Sequence, residues 1–561
     1  MTDTPAAQPP SQPASSSQPA PSAPVPDAQI TLGTAEIVDF TPQPAPRKRR
    51  RTAIVSGVAA VLVAAGGVGA YAGVRAWTGS GIVEPESAMP AGTAAFLRVD
   101  LKPGYRDQIA FDGLAKKFPG RGESTTDLVT RIERKMLEGS GLDYDKDVAP
   151  WFGQRAGIGA FADKSDHVTG LVALASTDDA KAKQTLTKQA AAHPGSFGFV
   201  VRDGYALLAI GGTDPQATAA SAATAAATAN LADDKNYRAS VSHLPGNNLV
   251  VGYADLSKVG PLAGNALSGA LATGGLNGFG GADGMPVGGL GLLPGVAGSP
   301  TDTLAKLTGH IAVGVGVVDD GVEIHTHMDG TTPAATDGAD AKATLDAMPD
   351  SAIVGVAARG LPADSPALKQ LDSLFGKLDG MAAGVKLEPL QPGHDGVPGD
   401  GGAGLPPAMA AEMSNLVKSV LTAKVISIGF GGVTNGMPNL RIAVDARDSA
   451  TATKLYQGAG VLAGAPGVHL SQNGTTVRAD IGTALTGGKL GDNALYREAL
   501  KGAGNSSVAA FVDVQKLLQG AGSAAAAGGS DAANLAPIKA IGVSTTASGT
   551  SSDTTVRIII K

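Results

Sequence analysis

The chain contains no cysteine. That excludes disulfides, thiol nucleophiles and cysteine-ligated zinc, and it leaves the compartment open, because exported proteins also do without cysteine. Aromatic residues are scarce at 4% of 561 positions, so a core must be assembled from Val, Leu, Ile and Ala. Charged residues make up 17% of the chain, against about 25% in an average globular protein. The net charge of −6 provides no basic face, which excludes the electrostatic footprint of a nucleic-acid binder. Catalytic signatures are missing too. There is no G-x-S-x-G elbow and no H-E-x-x-H pair. "GTALTGGKL" has the wrong glycine spacing for a phosphate loop, and Leu490 follows its lysine where Ser or Thr is required. "GGLGLLPG" and "GAGVLAG" lack dinucleotide spacing. The reading is a non-enzyme without a cofactor.

Glycine is abundant, at 78 residues, and the length suggests roughly three to four domains. Residues 1–51 are rich in Pro and Ser and end in a basic cluster, Arg47, Lys48, Arg49, Arg50 and Arg51. With little apolar surface to offset ordering entropy, this tail is expected to be disordered. The uncharged run from Ala53 to Val74 would rise about 33 Å as a helix, enough to cross a bilayer. Five basic residues precede it and only Arg75 follows closely, which places the N-terminus in the cytoplasm. Trp77 suits an interfacial anchor on the far side. "AYA" (Ala70 to Ala72) imitates a cleavage site, yet the apolar run exceeds the ~7–15 residues of a secretory signal. Residues 52–77 therefore read as a signal-anchor helix, 78–88 as a linker, and the rest as extracytoplasmic.

Beyond the linker a pattern recurs. "MPAGTAAFLRVDL", "LPGNNLVVGYADL", "MPDSAIVGVAARGL" and "GAGNSSVAAFVDV" each open with a turn and an apolar strand. Helical stretches follow, then hairpins broken by Gly, Asn, Asp or Ser. The first and third copies add a helix and a second hairpin, turning at Asp203-Gly204 and Asn473-Gly474. The expected fold class is α+β, internally duplicated from antiparallel hairpin/helix repeats, with helices on one face of the sheet. One half spans 89–345 with a glycine-rich insertion at 274–299. The other spans 346–561 with an insertion at 384–407.

Two polar clusters need weighing. "GLDYDKDVAPWFGQRAG" sets Asp143, Asp145 and Asp147 at alternate positions. A calcium loop opening at Asp143 needs Gly sixth and Glu twelfth, but those places hold Val148 and Gln154. Asp147 reads instead as a helix N-cap, with Pro150 in the first turn, Gly153 as the stop and Trp151 filling the core. In "EIHTH", Glu323, His325 and His327 share one strand face. Two such histidines are metal-ligand types, but with Val322, Ile324 and Met328 opposite, the polar side reads as the solvated one. His325, His327, Asp143 and Asp145 thus remain weak metal candidates.

"MPAGTAAFLRVDLKPG", "KKFPG" and above all the tryptophan stretch, in the form GLDYxxDVxPWxGxRAG, resemble actinobacterial single-pass membrane proteins with an exported domain of unknown function. The resemblance covers about 85–561 and carries over no catalytic residues. It implies a cell-envelope protein: membrane contact through one helix, and an exported region that binds an envelope protein, glycan or lipid partner. Two alternatives to an interaction scaffold are carriage of a lipid or other apolar ligand and transmembrane signalling through the tail.

Overall fold

Two-residue turns set the strand boundaries. Asp203 and Gly204 both take positive φ, 54° and 78°, as do Asn435 and Gly436, at 53° and 79°. That is the geometry of the tight turn whose twist suits a hairpin. In the computed structural model the description covers residues 84–100, 105–118, 143–162, 168–210, 213–246, 248–259, 308–330, 339–362, 365, 415–520 and 535–561. The tail, the expected anchor with its arginine cluster and Trp77, and the glycine-rich tracts lie outside them. Among the described residues no helix is long and apolar enough to cross a membrane.

Among the described residues the fold is α+β, built on one antiparallel sheet of sixteen strands. The first eight are β1 (Ala95–Asp100), β2 (Phe152–Ala162), β3 (Val168–Ser176), β4 (Phe197–Arg202), β5 (Tyr205–Ile210), β6 (Val250–Asp255), β7 (His310–Val318) and β8 (Gly321–Met328). The last eight are β9 (Val354–Arg359), β10 (Val425–Thr434), β11 (Met437–Asp445), β12 (Val468–Asn473), β13 (Thr476–Ile481), β14 (Val508–Asp513), β15 (Ile538–Ser548) and β16 (Ser551–Ile560). From one edge the order is β4-β5-β3-β2-β1-β6-β7-β8, and from the other β12-β13-β11-β10-β9-β14-β15-β16. Raising each number of the first series by eight gives the second. The series meet where β8 pairs with β16.

Directly opposed residues in antiparallel strands share a face. One apolar row crosses the whole sheet on its first face. It runs from Leu470 on β12 through Ile428, Val356, Val556, Ile324 and Val99 to Val201 on β4, with an Ala, Val, Leu or Ile in every strand between.

The expectation of helices on one face is corrected: they cover both. On the first face, α2 (Asp179–Ala192) packs Ala182 and Leu186 against Ala206, and α6 (Ser449–Ala459) packs Ala452 and Leu455 against Val444 and Val477. α1 (Tyr105–Ala115) adds Leu114 beside Val250 and Val315. On the second face, α3 (Pro215–Thr228) presents Ala219, Ala222 and Ala223 to Leu171 and Leu207. α4 (Lys235–Ser242) brings Tyr237 to Phe96 and Tyr253. α5 (Ala341–Asp346) and α7 (Ala494–Ala499) bring Leu345 and Tyr496 to Ala509 and Phe511, and α8 (Val514–Gly520) follows β14. The reason lies in strands such as β5, YALLAI, which is buried along both sides. A strand apolar on both faces needs cover on both. Small alanine faces let the helices approach closely.

α3 also closes one sheet edge. The Gln216 side chain accepts from the Phe199 N–H at 3.0 Å and donates to the Phe199 carbonyl at 3.0 Å, satisfying edge groups that would otherwise pair with another strand.

Candidate functional site

Two polar constellations stand out on the second face. The first holds the incoming chain. Glu84 and Glu86 flank Pro85 at the 3-10 turn Pro85–Ala88. The Arg98 guanidinium on β1 reaches Glu86 at 2.8 Å and Glu84 at 3.5 Å. Arg155 on β2 reaches Glu84 at 3.1 Å and Asp100 at 3.0 Å, the latter an ionic contact that leaves Asp100 Oδ1 without an aligned hydrogen bond. The Tyr237 hydroxyl donates to Glu86 at 3.1 Å. Glu86 and Asp100 are buried, while Glu84 keeps 45% of its side chain exposed.

Burial pushes the Asp100 carboxyl above the usual aspartate range, against the opposing pull of Arg98 and Arg155. An acid raised in the folded state binds protons more readily there than when unfolded. Its contribution to stability therefore grows as pH falls from the raised value toward the ordinary one. Burial works to lower the Arg98 guanidinium but is outweighed by Glu86, Asp100 and Glu84, which together push it up. Burial, then the Glu86 charge, pushes the Tyr237 hydroxyl up. Each of the three acids faces an arginine, so the arrangement is a clasp that holds 84–88 onto β1 and β2.

The second constellation lies at the seam of β8 and β16. Three consecutive same-face pairs face each other across it: Glu323 with Arg557, His325 with Thr555, and His327 with Asp553. Arg557 meets Glu323 at 3.2 Å, His325 meets Glu323 at 3.1 Å, and Thr555 meets His325 at 3.2 Å. The hydrogen bond with His325, aided by the Arg557 charge and opposed by burial, holds the Glu323 carboxyl below the usual glutamate range. His327 Nδ1 lies 2.7 Å from Asp553 Oδ1. His243, the C-cap of α4, stacks its ring on His327 at 3.7 Å and 9°. Its Nδ1 is 3.7 Å from the same carboxylate oxygen. Nearby, His310 meets Asp329 at 3.0 Å.

The expectation that the polar side of "EIHTH" is the solvated one is therefore corrected: His327 is 4% exposed. α4 covers this face, which the strand's own alternation cannot reveal. Of the weak metal candidates, His325 turns to Glu323 and Thr555, whereas His327 joins two residues from elsewhere in the chain. Among the described residues, His243, His327 and Asp553 are the group of three whose donor atoms lie within 4.8 Å of one another. Asp143 and Asp145 are not part of it.

The tryptophan stretch folds as a π turn, Tyr144–Val148, and its cap is Asp143 rather than Asp147. The Asp143 carboxylate accepts from the Lys146 N–H at 3.2 Å, and the Asp147 carboxylate accepts from the Asp143 N–H at 3.0 Å. This reciprocal pairing is the logic of a capping box, and it explains why two acids four apart both look like caps. Hydrogen bonds from Lys146 hold the Asp143 carboxyl low. Pro150 follows the turn instead of opening it, and Gly153 lies in β2 against Ala175. Trp151 is 2% exposed and donates its indole N–H to the Asp147 carbonyl at 2.7 Å.

The clasp had a signal in the sequence: Arg98 and Asp100 are charges two apart in an otherwise apolar strand. No signal links His243 to Asp553.

Residues 55–205 match the family described as "Protein of unknown function (DUF3352)", so a domain of that family spans this part of the chain. The matched span contains Trp151 and the charged clasp. No curated protein and no solved structure matches the chain.

Proposed function

We propose that this chain is a single-pass, membrane-anchored protein of the cell envelope whose non-enzymatic exported region is an interaction scaffold. The observation that carries the reading is the clasp. A segment only a few residues beyond the expected anchor is fixed to β1 and β2 by Arg98 and Arg155. Such a joint would hold a broad sheet at a set attitude to a bilayer, which suits presentation of a surface better than turnover of a substrate. The basic cluster Arg47 to Arg51 and the uncharged run after it support the orientation. The match of the two strand series, number for number, supports origin by duplication, with halves 89–345 and 346–561.

Two clefts bear on the carrier alternative. One of about 70 Å³ is lined by Tyr205, Leu207 and Ala223, and an open one of about 270 Å³ by Asp346, Lys489 and Asp492. Neither of these two reaches the ~300–1,000 Å³ of small-molecule sites, so neither supplies the carrier alternative with a site.

Because the native chain has no cysteine, single introduced thiols report topology cleanly. Ser16→Cys in the tail and Gln184→Cys on the exposed side of α2 are labelled with an impermeant maleimide on wall-stripped cells. The orientation requires labelling of Gln184→Cys on intact cells and of Ser16→Cys only after lysis; the reverse pattern would overturn it. Crosslinking through Gln184→Cys should capture envelope proteins or glycans, and recovery of none would count against a scaffold.

A further inference from the structure

We propose that His243, His327 and Asp553 form a binding site for one divalent transition-metal cation of the zinc type, at the seam between the two strand series. The donor set is two imidazoles and one carboxylate, the nitrogen and oxygen ligands such ions take in the absence of thiolate. Metal–ligand bonds of about 2.0–2.1 Å in a tetrahedral arrangement put neighbouring donor atoms about 3.3 Å apart. The two separations around Asp553 Oδ1 bracket that value, 2.7 Å to His327 Nδ1 and 3.7 Å to His243 Nδ1. Shifts of roughly half an ångström bring each nitrogen to that distance from the shared oxygen, and reorientation of one ring completes the site.

The short contact of His327 Nδ1 with a carboxylate requires a proton between them. A bound cation takes the place of that proton at Nδ1, and the metal-bound imidazole keeps its one hydrogen on Nε2. The parallel stack adds a second requirement. A metal lies in the plane of each ring it binds, and two parallel rings 3.7 Å apart cannot both meet this. His243 must therefore swing open as a wedge. It is free to do so: it sits at the end of α4 with 49% of its side chain exposed, whereas His327 is held in the sheet. Asp553 is 53% exposed, so the fourth coordination position opens to water.

The three ligands come from α4, β8 and β16. His327 and Asp553 are 226 residues apart in the chain, so an ion here staples the two strand series across the seam and stabilises the folded form by mass action.

The test uses the full-length protein in detergent, purified without a polyhistidine tag and stripped with a chelator. Equilibrium dialysis against Zn²⁺ with elemental analysis should find one ion per chain, and added Zn²⁺ should raise the melting temperature. His243→Ala and Asp553→Asn should each weaken binding about tenfold or more and abolish the melting shift, while His469→Ala on exposed β12 should change neither. Because His243 is exposed, its loss leaves the fold intact, which chelator-treated melts of wild type and variant verify. Absence of stoichiometric uptake by the wild type, or uptake and shift unchanged in both variants, overturns the proposal.

Discussion

Arg98→Met removes the central cation of the clasp while keeping most of the side chain's volume. What remains is Glu86, 8% exposed at its side chain, facing Tyr237 but no cation, and Asp100, 7% exposed, still beside Arg155. Breaking a buried pair by removing one partner costs about 3–5 kcal/mol, because the other charge stays buried. The low end applies here. Arg98 Nε is buried without a hydrogen-bond partner, and Met removes that unsatisfied group. Glu84→Gln touches the same network at a carboxylate that is 45% exposed, where ion pairs contribute about 0–1 kcal/mol. The double change Arg98→Met with Glu86→Gln should be milder than Arg98→Met alone, since no unpaired carboxylate is then left at the centre. Urea unfolding followed by Trp151 fluorescence, in a Trp77→Phe background, ranks the three. If Arg98→Met is no worse than Glu84→Gln, or if the double change gives no relief, the clasp is not a buried ion-pair joint.

Three further outcomes are expected. Trp151→Phe keeps the ring but strands the Asp147 carbonyl that the indole now serves, for a loss of about 1–3 kcal/mol; Trp151→Ala should lose about 3–5 kcal/mol, both by thermal melts. Gly198→Ala would drive a methyl into the backbone of Pro215 and Gln216 where α3 crosses β4, an overpacking expected to cost at least about 1–3 kcal/mol and to speed amide exchange at Phe199. Glu323→Gln tests the seam by pH. Because the Glu323 carboxyl is held low, its contribution is full above the usual glutamate range and is lost as pH falls through the lowered value. The gap in urea midpoint between wild type and variant should thus close in acid, and a gap that stays constant or widens would contradict the assignment.

The parts of the fold legible in the sequence are those written in neighbouring residues. Asp203-Gly204 and Asn435-Gly436 mark their turns because few other residues tolerate positive φ. In β12–β13 the turn sits at Gly474 and Thr475, one residue later than Asn473-Gly474 suggests, since Gly474 alone supplies the positive φ. Helices on both faces are not legible in the sequence because alanine-rich segments such as α3 carry almost no amphipathic contrast. Asp147 reads as the cap because the return bond from the Asp143 N–H to its side chain is invisible in a pattern of alternating acids. His327 reads as solvated from the sequence because its cover, His243, comes from outside the strand, and periodicity within a strand says nothing about what lands on it.

The seam shows what its polar residues are needed for and what they are not. Suppose β16 slid by two residues along β8. In one direction Val322 would meet Ile560 and Ile324 would meet Ile558, so the apolar first face would accept the slip at no loss. On the second face Arg557 would then oppose His325, and Glu323 would oppose Ile559, leaving a buried carboxylate without its cation. Hydrophobic pattern alone therefore cannot fix this register, and the pairs Glu323–Arg557 and His325–Thr555 can, which is a use for buried ionic groups that outweighs their modest worth as stabilisers. His243 has no part in that account. It lies on α4, outside the sheet, and its ring neither sets nor checks the strand register. Its placement on His327, with one carboxylate oxygen shared between two imidazoles, is the feature of the seam that strand pairing leaves over, and a shared cation is what gives it a role.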